Sequence, residues 1–342
     1  MSAGLDLLAD GSPLRAEVRE ILAAWSPAEL AAVQESATGY PAAIWDAFRR
    51  QVGRRLTEPE VVRVALEELG AARCPLPVHA GLIQPLAASL HVGGAGERFR
   101  EALLGSGDRY ALTRPEHLTA TREDRRWLVS GRARHLTYGD SAALLLVPAR
   151  YGASGLVLAV VAGDAPGVRR TTRPSLASDR LTDVEFDGVE VDEPLHTGVP
   201  EALAAAELLG MLAVSAELVG MSARLLELTA DRVTSRHAFG APLAALQSVQ
   251  LRAGDMYLDF VAARDAVAEA AARATPLSVS AAKVTATTSA LAIAAGAHQL
   301  CGGWGLLDVA GLHHYTRAIK AAESQLGSPR DHRRTIAEHL RA

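Results

Sequence analysis

The sequence of 342 residues has only two cysteines, Cys74 and Cys301, and they lie far apart in the chain. Their separation is unlike the short spacings of metal ligands, and a single pair of cysteines cannot form a disulfide framework. We therefore expect neither a metal site nor a fold held together by disulfides. Unlinked thiols fit a reducing compartment, so the expected location is the cytoplasm.

Long runs of one charge are also missing. The chain has 35 Lys and Arg against 39 Asp and Glu, a formal net charge of −4. Binding to nucleic acid or to an anionic membrane surface normally needs a basic patch, so we expect neither. The longest uncharged segment, residues 284–300, is mostly Ala, Thr and Ser and is too weakly hydrophobic for a membrane span. The N-terminus lacks the basic region and apolar core of a signal peptide.

Aromatic residues make up only 4% of the chain, whereas hydrophobic residues make up 49%. Alanine is heavily used, and alanine has the highest intrinsic helix propensity. The composition therefore predicts a mainly helical protein. The length is too great for one compact core, so we expect two or three packed subdomains.

The pattern along the chain changes twice, at about residues 108 and 198. Residues 1–107 read as short helices, with Thr57-Glu58-Pro59-Glu60 as a helix start and Gly70 as a stop. Residues 108–197 contain short Val- and Leu-rich runs separated by Gly, Pro, Asp and Ser, which are typical of strands. The predicted strands are 127–131, 142–147, 155–161 and 184–191, with a turn at Asp187-Gly188.

Helical patterns return in residues 198–342. Glu201–Ser235 is one long pattern that is apolar on nearly all faces, which implies burial on more than one side. Further helices are predicted at 244–273, 278–300, 311–325 and 331–340. The predicted fold class is therefore α+β and mainly helical. It has an N-terminal helical domain, a middle antiparallel β domain and a C-terminal four-helix bundle.

One stretch interrupts the apolar pattern of the C-terminal domain with an arginine, an aromatic residue and a glycine. It contains Arg236, Phe239 and Gly240, followed by Gln247. Taken alone, it is explained by a helix C-terminus, where arginine is favourable and glycine ends the helix. A second motif follows, Gln299 with Gly302, Gly303 and Gly305. Taken alone, such a Gly-Gly turn is more often a plain loop.

In order and spacing these motifs resemble the acyl-CoA dehydrogenase family of flavoproteins, and the resemblance covers most of the chain. Tyr110-Ala-Leu-Thr113 looks like the family's flavin-contacting strand, and Arg134-His-Leu-Thr137 resembles a following strand. The resemblance implies an FAD cofactor and the helix, sheet, helix domain order predicted above. It also implies that FAD lies between subunits, so the protein should be an oligomer.

The resemblance assigns the following residues to FAD. Arginine offers a planar fork for phosphate oxygens, and glycines let backbone N–H groups approach them. Phe239 can lie against the cofactor. The implied FAD contacts are Arg236, Phe239, Gln247, Gln299, Gly302 and Gly303, with Thr113, Thr137 and Ser328 as further candidates.

The residue that should act as the catalytic base is missing. In the family a glutamate before Gly-Thr removes the α-proton of the acyl-CoA, but here the motif reads Gln325-Leu326-Gly327-Ser328. Glu207, on the predicted long helix, is an alternative base. Residues 113–121 lack the family's glycine-rich loop, and His135 replaces a tryptophan beside the flavin.

Three hypotheses follow from the FAD-contact motifs that are present and from the base and glycine-rich loop that are absent. In the first, the chain is the non-catalytic subunit of an α2β2 acyl-CoA dehydrogenase acting on fatty acyl or steroid side-chain CoA esters. A homologous partner then supplies the glutamate and binds most of the substrate, while the electron acceptor stays unassigned. In the second, it is a homo-oligomeric dehydrogenase that uses Glu207 or another carboxylate. In the third, it is a scaffold or binding protein that keeps the fold without the chemistry.

Overall fold

The computed structural model describes residues 5–105, 109–153, 155–177, 179–238 and 240–341. Within these ranges the chain forms two compact units. The first combines the N-terminal residues up to Leu30 with Glu58–Cys74 and the chain from Met211 onward. The second contains Ala31–Thr57 and Pro75–Gly210. Both units are assembled from segments that are distant in the sequence.

Eleven α-helices occur in the described ranges. They are α1 (Pro13–Leu22), α2 (Leu30–Glu35), α3 (Ala42–Gln51), α4 (Pro59–Ala72), α5 (Gln84–Ser89), α6 (Gly94–Gly105), α7 (Val199–Ser235), α8 (Gln247–Arg273), α9 (Pro276–Cys301), α10 (Leu312–Ala322) and α11 (Pro329–His339). A 3-10 turn, Gly302–Leu306, directly follows α9. The long C-terminal helices agree with the predicted ones to within a few residues, because their apolar patterns are long and uninterrupted.

The first unit has a very close helix crossing between α4 and α7. A Cβ atom at Gly220 would overlap the carbonyl oxygen of Glu67, and one at Gly70 would overlap that of Glu217. The two backbones therefore meet without side chains between them. This contact helps to bury the middle of α7, where Leu218 and Val219 are inaccessible to solvent.

A cluster of charged side chains joins α1 to α4 in the same unit. Arg15 is almost fully buried and bonds Glu67, Glu68 and Asp10, each at 2.7–2.8 Å. Arg63 reaches the other oxygen of Glu67 at 2.8 Å. Burial raises the pKa of the Glu67 carboxyl, against the opposing effect of the two arginines. Each buried carboxylate in this cluster therefore has a guanidinium partner, which offsets the cost of its desolvation.

The second unit contains a mixed seven-stranded sheet with the order β1-β4-β2-β3-β7-β6 and with β5 paired to β4. The strands are β1 (Tyr110–Leu112), β2 (Leu118–Glu123), β3 (Arg126–Thr137), β4 (Leu144–Tyr151), β5 (Gly155–Ala162), β6 (Val168–Arg173) and β7 (Leu181–Val191). Its core consists of apolar residues from these strands, among them Leu145, Val129 and Phe186.

The helix, sheet, helix order and the mainly helical class are confirmed, and two details of the sheet differ from the prediction. Strands β1 and β2 run parallel to β4, so the sheet is not purely antiparallel. Asp187 and Gly188 do not form a hairpin turn, because β7 continues through them to Val191. Gly188 has a φ of 59°, close to where the register of β3 and β7 shifts. Such a bulge uses the same glycine geometry as a turn.

The domain boundaries near residues 107 and 197 stay predictions. Within the described ranges, α7 and the segment of α9 with its following turn are long and apolar enough to cross a membrane. About two thirds of the most apolar window of α7 is buried inside the protein, as is more than half of that of α9. Burial of this kind is typical of core helices, so their hydropathy does not indicate a span.

The crossing of α4 and α7 predicts a large effect for one added methyl group. Gly220→Ala should lower the free energy of unfolding by about 2–3 kcal/mol, because the Cβ overlaps a backbone carbonyl that cannot rotate away. Gly254→Ala on α8 is the matched control, since its Cβ would meet nothing within 4 Å. Better helix propensity should make that variant about 0.5–1 kcal/mol more stable. Urea denaturation measures both free energies of unfolding. If Gly220→Ala and Gly254→Ala changed the free energy of unfolding equally, the close contact between α4 and α7 would be contradicted.

The charged cluster predicts a loss of stability in acid. A hydrogen bond from Arg15 lowers the pKa of Asp10 to about 2. Since the folded pKa lies below the unfolded value, Asp10 stabilises the fold above about pH 4 and loses this effect as the pH falls toward 2. Denaturation at pH 2 to 6 should show that the free energy of unfolding of wild type exceeds that of Asp10→Asn at the upper end of this range and that the excess is lost toward pH 2. When both proteins also carry Arg15→Met, the difference between their free energies of unfolding should depend little on pH.

Candidate cofactor half-site

The end of α7 carries the first candidate residues. Arg236 directly follows the helix, and its N–H donates to the carbonyl of Arg232 at 3.0 Å. The N–H of Leu243 donates to the carbonyl of Arg236 at 2.8 Å, which closes a short hairpin of β8 (His237–Ala238) and β9 (Ala241–Pro242). The Arg236 side chain is exposed. Phe239 lies outside the described residues.

Gln247 is the first residue of α8 and is exposed. The hairpin therefore places Arg236 and Gln247 at either end of one short connection between α7 and α8. The first amide groups of a helix have no partners within the helix and favour anions. This connection offers a guanidinium and a helix N-terminus to a ligand.

The second motif lies at the end of α9. Gln299 is exposed in the last turn of that helix. Gly302 ends the helix with φ 57° and ψ −147°, a conformation that residues with a Cβ rarely adopt. Cβ atoms built at Gly302 and Gly303 would meet nothing within 4 Å. The backbone here is therefore open to a ligand, as a phosphate-binding turn requires.

One contact brings the two motifs together, although they are more than 60 residues apart in the chain. The guanidinium carbon of Arg232, on the last turns of α7, lies 4.7 Å from the centroid of the Trp304 ring. Trp304 belongs to the turn that begins at Gly302. Neither residue was among the contacts predicted from the sequence. The available signal was the spacing of Arg232 and Arg236, because four residues make about one helical turn.

Taken together, this end of the first unit fits an anionic dinucleotide. It has two guanidiniums, exposed amides on Gln247 and Gln299, and an open glycine backbone. In the described part of the chain, no carboxylate pairs with Arg232 or Arg236. Nor do the described residues include a group of three His, Cys, Asp or Glu that could hold a metal ion.

The middle-domain candidates lie in the second unit. Thr113 follows β1 and is buried, and its N–H donates to the carbonyl of Leu146 at 2.9 Å. Its hydroxyl has no hydrogen-bond partner among the described residues. A buried unpaired hydroxyl is uncommon and is consistent with a missing ligand atom. Thr137 is half-buried at the end of β3.

His135 is exposed and has a φ of 56°. Its N–H donates to the Asp183 carboxylate at 3.1 Å. Together with Arg173, this hydrogen bond lowers the pKa of Asp183, against the opposing effect of burial. The contact involves the backbone of His135, so it defines a strand distortion and gives the imidazole no catalytic partner.

The turn at Leu326, where the resemblance to the family expects the base, is structurally well defined. Leu326 has a φ of 55°, and its carbonyl accepts a hydrogen bond from the His332 ring at 3.0 Å. Ser328 caps α11, and its hydroxyl donates to the Asp331 carboxylate at 2.6 Å. That bond leaves the Ser328 hydroxyl engaged in a capping box. The Leu326 side chain is hydrocarbon, so it cannot accept a proton.

Buried Lys283 fixes the chain just before this turn. Its ammonium donates to the carbonyl of Ala322 at 2.9 Å and to the Thr287 hydroxyl at 3.2 Å. Burial lowers the pKa of Lys283 to about 8. The lysine holds the end of α10 in place through this hydrogen bond, and the turn at Leu326 follows directly.

Glu207, the alternative base, lies on α7 and is exposed. A carboxylate that removes a carbon-bound proton needs a site from which water is largely excluded. The exposed position of Glu207 does not provide such a site.

The second unit contains a cavity of about 520 Å³ with Val92, Phe99 and Leu146 in its wall. Glu190, Asp192 and Glu193 border it. These carboxylates would repel the phosphates of a CoA ester.

In sequence, the chain is similar to acyl-CoA dehydrogenases. The C-terminal domain of acyl-CoA dehydrogenases matches residues 208–341. Acyl-CoA dehydrogenase IpdE2 of Mycobacterium tuberculosis is 28% identical over 310 residues, which is 89% of each chain. This match spans all three predicted domains.

Two solved structures have the same fold. One is the ChsE4-ChsE5 complex from Mycobacterium tuberculosis, with a TM-score of 0.87 and 21% identity over 98% of this chain and 99% of that one. The other is a variant of the Tcur3481-Tcur3483 steroid acyl-CoA dehydrogenase, with a TM-score of 0.84 and 23% identity over 96% of each chain. At these identities the likeness concerns the fold alone.

Proposed function

Because this chain belongs to the acyl-CoA dehydrogenase family, we propose that it is the non-catalytic subunit of a heteromeric acyl-CoA dehydrogenase. The observation that carries the proposal is the combination of Leu326 at the base position with an open, cationic half-site around Arg236 and Gly302. One half of a dehydrogenase site is suited to a ligand, and the other lacks its proton acceptor.

In this proposal the chain binds part of an FAD whose flavin ring lies in a homologous partner, in an α2β2 assembly. Arg236 holds phosphate oxygens, Gly302 and Gly303 admit them to the backbone, and Gln247 and Gln299 donate hydrogen bonds from their exposed amides. Phe239 is a further candidate for contact with this FAD. When bound, FAD supplies a hydride acceptor for the oxidation of an acyl-CoA thioester.

Two of the similar structures support a heteromer, since their names describe a two-protein complex and a two-protein steroid enzyme. By analogy, the substrate proposed for the assembly is a CoA ester with a steroid side chain or a fatty acyl chain. The acidic border of the cavity in the second unit supports binding of the CoA ester mainly by the partner. We propose a cytoplasmic location for the assembly.

The proposal predicts that flavin binding belongs to the complex. Purified alone, the chain should hold little FAD and show no dehydrogenase activity. A tagged chain recovered from its native host with a homologous subunit should hold FAD, and Arg236→Ala should weaken it roughly 10-fold or more, through loss of charge-assisted hydrogen bonds. The absorbance of bound flavin measures the FAD content, and equilibrium dialysis measures the FAD affinity.

Arg54→Met is the control for that experiment. Arg54 is an exposed arginine of the second unit, so its replacement should leave FAD content unchanged. Stoichiometric FAD with turnover in the isolated chain would contradict the heteromer. Full FAD retention in the Arg236→Ala complex would instead support a scaffold without a cofactor role.

A separate substitution distinguishes the homomeric alternative. Because a partner supplies the base in the proposed assembly, Glu207→Gln should leave kcat of the complex within about 2-fold of wild type. If Glu207 is the base, the same change removes the proton acceptor and should lower kcat by about 100-fold or more. Stopped-flow reduction of the flavin by acyl-CoA measures the step directly, and a large loss would overturn the proposal.

A further inference from the structure

The contact between Arg232 and Trp304 adds two residues to those assigned to the half-site so far. We propose that Arg232 is a second phosphate-binding residue for the nucleoside diphosphate part of the cofactor, and that Trp304 positions it. This inference rests on the proposed function, because it concerns the same site.

The first argument is placement. Arg232 lies within the last turn of α7, and Arg236 directly follows the helix. Residues four apart lie on the same side of a helix, about 5–6 Å apart at their Cβ atoms. Two guanidiniums at this spacing can bind neighbouring phosphate groups of one diphosphate. A single point charge could not fix the orientation of such a group as well.

The second argument is charge. Like charges four residues apart destabilise a helix by a few tenths of a kcal/mol. The helix dipole favours a cation near the C-terminus and accounts for one of the two arginines on its own. In the described ranges neither guanidinium has a carboxylate within ion-pair distance. An anionic ligand between them would supply the missing partner.

The third argument is the turn itself. Trp304 follows directly on Gly302 and Gly303, whose backbone is open to solvent. The ring lies against Arg232, and Arg232 is half-buried, whereas Arg236 is exposed. A cation held against an aromatic face has less freedom to lose when a ligand binds. Trp304 therefore keeps one guanidinium in place beside the glycine backbone that receives the same phosphates.

The test uses the complex recovered with the tagged chain, stripped of flavin and titrated with FAD at low and high salt. Arg232→Met should weaken FAD binding about 10-fold or more, as expected for loss of a charge-assisted contact. It should also reduce the dependence of the FAD affinity on salt, because one charge contact is lost. Arg232→Lys should recover part of the affinity and the full salt dependence.

Trp304→Leu should weaken FAD binding through its effect on Arg232, while Trp304→Phe should retain most of the affinity. If Trp304 acts through Arg232, the double variant Arg232→Met/Trp304→Leu should be little weaker than Arg232→Met alone. Arg54→Met is again the control for loss of an exposed arginine. Thermal unfolding of each complex separates lost binding from lost stability.

Three results would overturn the inference. These are an unchanged FAD affinity in Arg232→Met, an unchanged salt dependence in that variant, or fully additive effects in the double variant. Its failure is distinguishable from that of the proposed function. If Arg236→Ala weakens FAD but Arg232→Met does not, only this inference is wrong. If the wild-type complex holds no FAD, both are wrong.

Discussion

The backbone contact between α4 and α7 is the constraint on which the first unit depends. Helix α7 is apolar on nearly every face and has to be buried along most of its length. Gly70 and Gly220 let another helix lie directly on its backbone, and larger side chains there would separate the two helices. The position of α7 in turn determines where Arg232 and Arg236 lie.

The candidate half-site follows from how several helices end. Helix α7 ends at a hairpin, α8 begins with an exposed glutamine, and α9 ends at a glycine with a backbone conformation closed to most residues. These ends leave unpaired amides and cationic side chains in one region, which is the usual chemistry of an anion site. The turn at Leu326 carries a hydrocarbon side chain where the resemblance to the family expects an acid.

The elements with long patterns were predictable from the sequence. The apolar pattern of residues 201–235 predicted α7, and the Val- and Leu-rich runs predicted β4 and β5. Shorter elements such as α3 and β6 were missed, because six to ten residues carry too little periodicity. Asp187-Gly188 was interpreted as a turn because a bulge and a turn use the same residues, and only strand pairing distinguishes them.

The sequence by itself determined the helix, sheet, helix order, the motifs around Arg236 and Gly302, and the absence of a glutamate before Gly327. These properties are local, since each depends on residue types at fixed spacings. The tertiary structure alone decided that α7 meets α4 at two glycines and that Arg232 lies on Trp304. Such contacts join residues that are tens to more than a hundred positions apart, and no local pattern specifies them, because they depend on how whole helices pack.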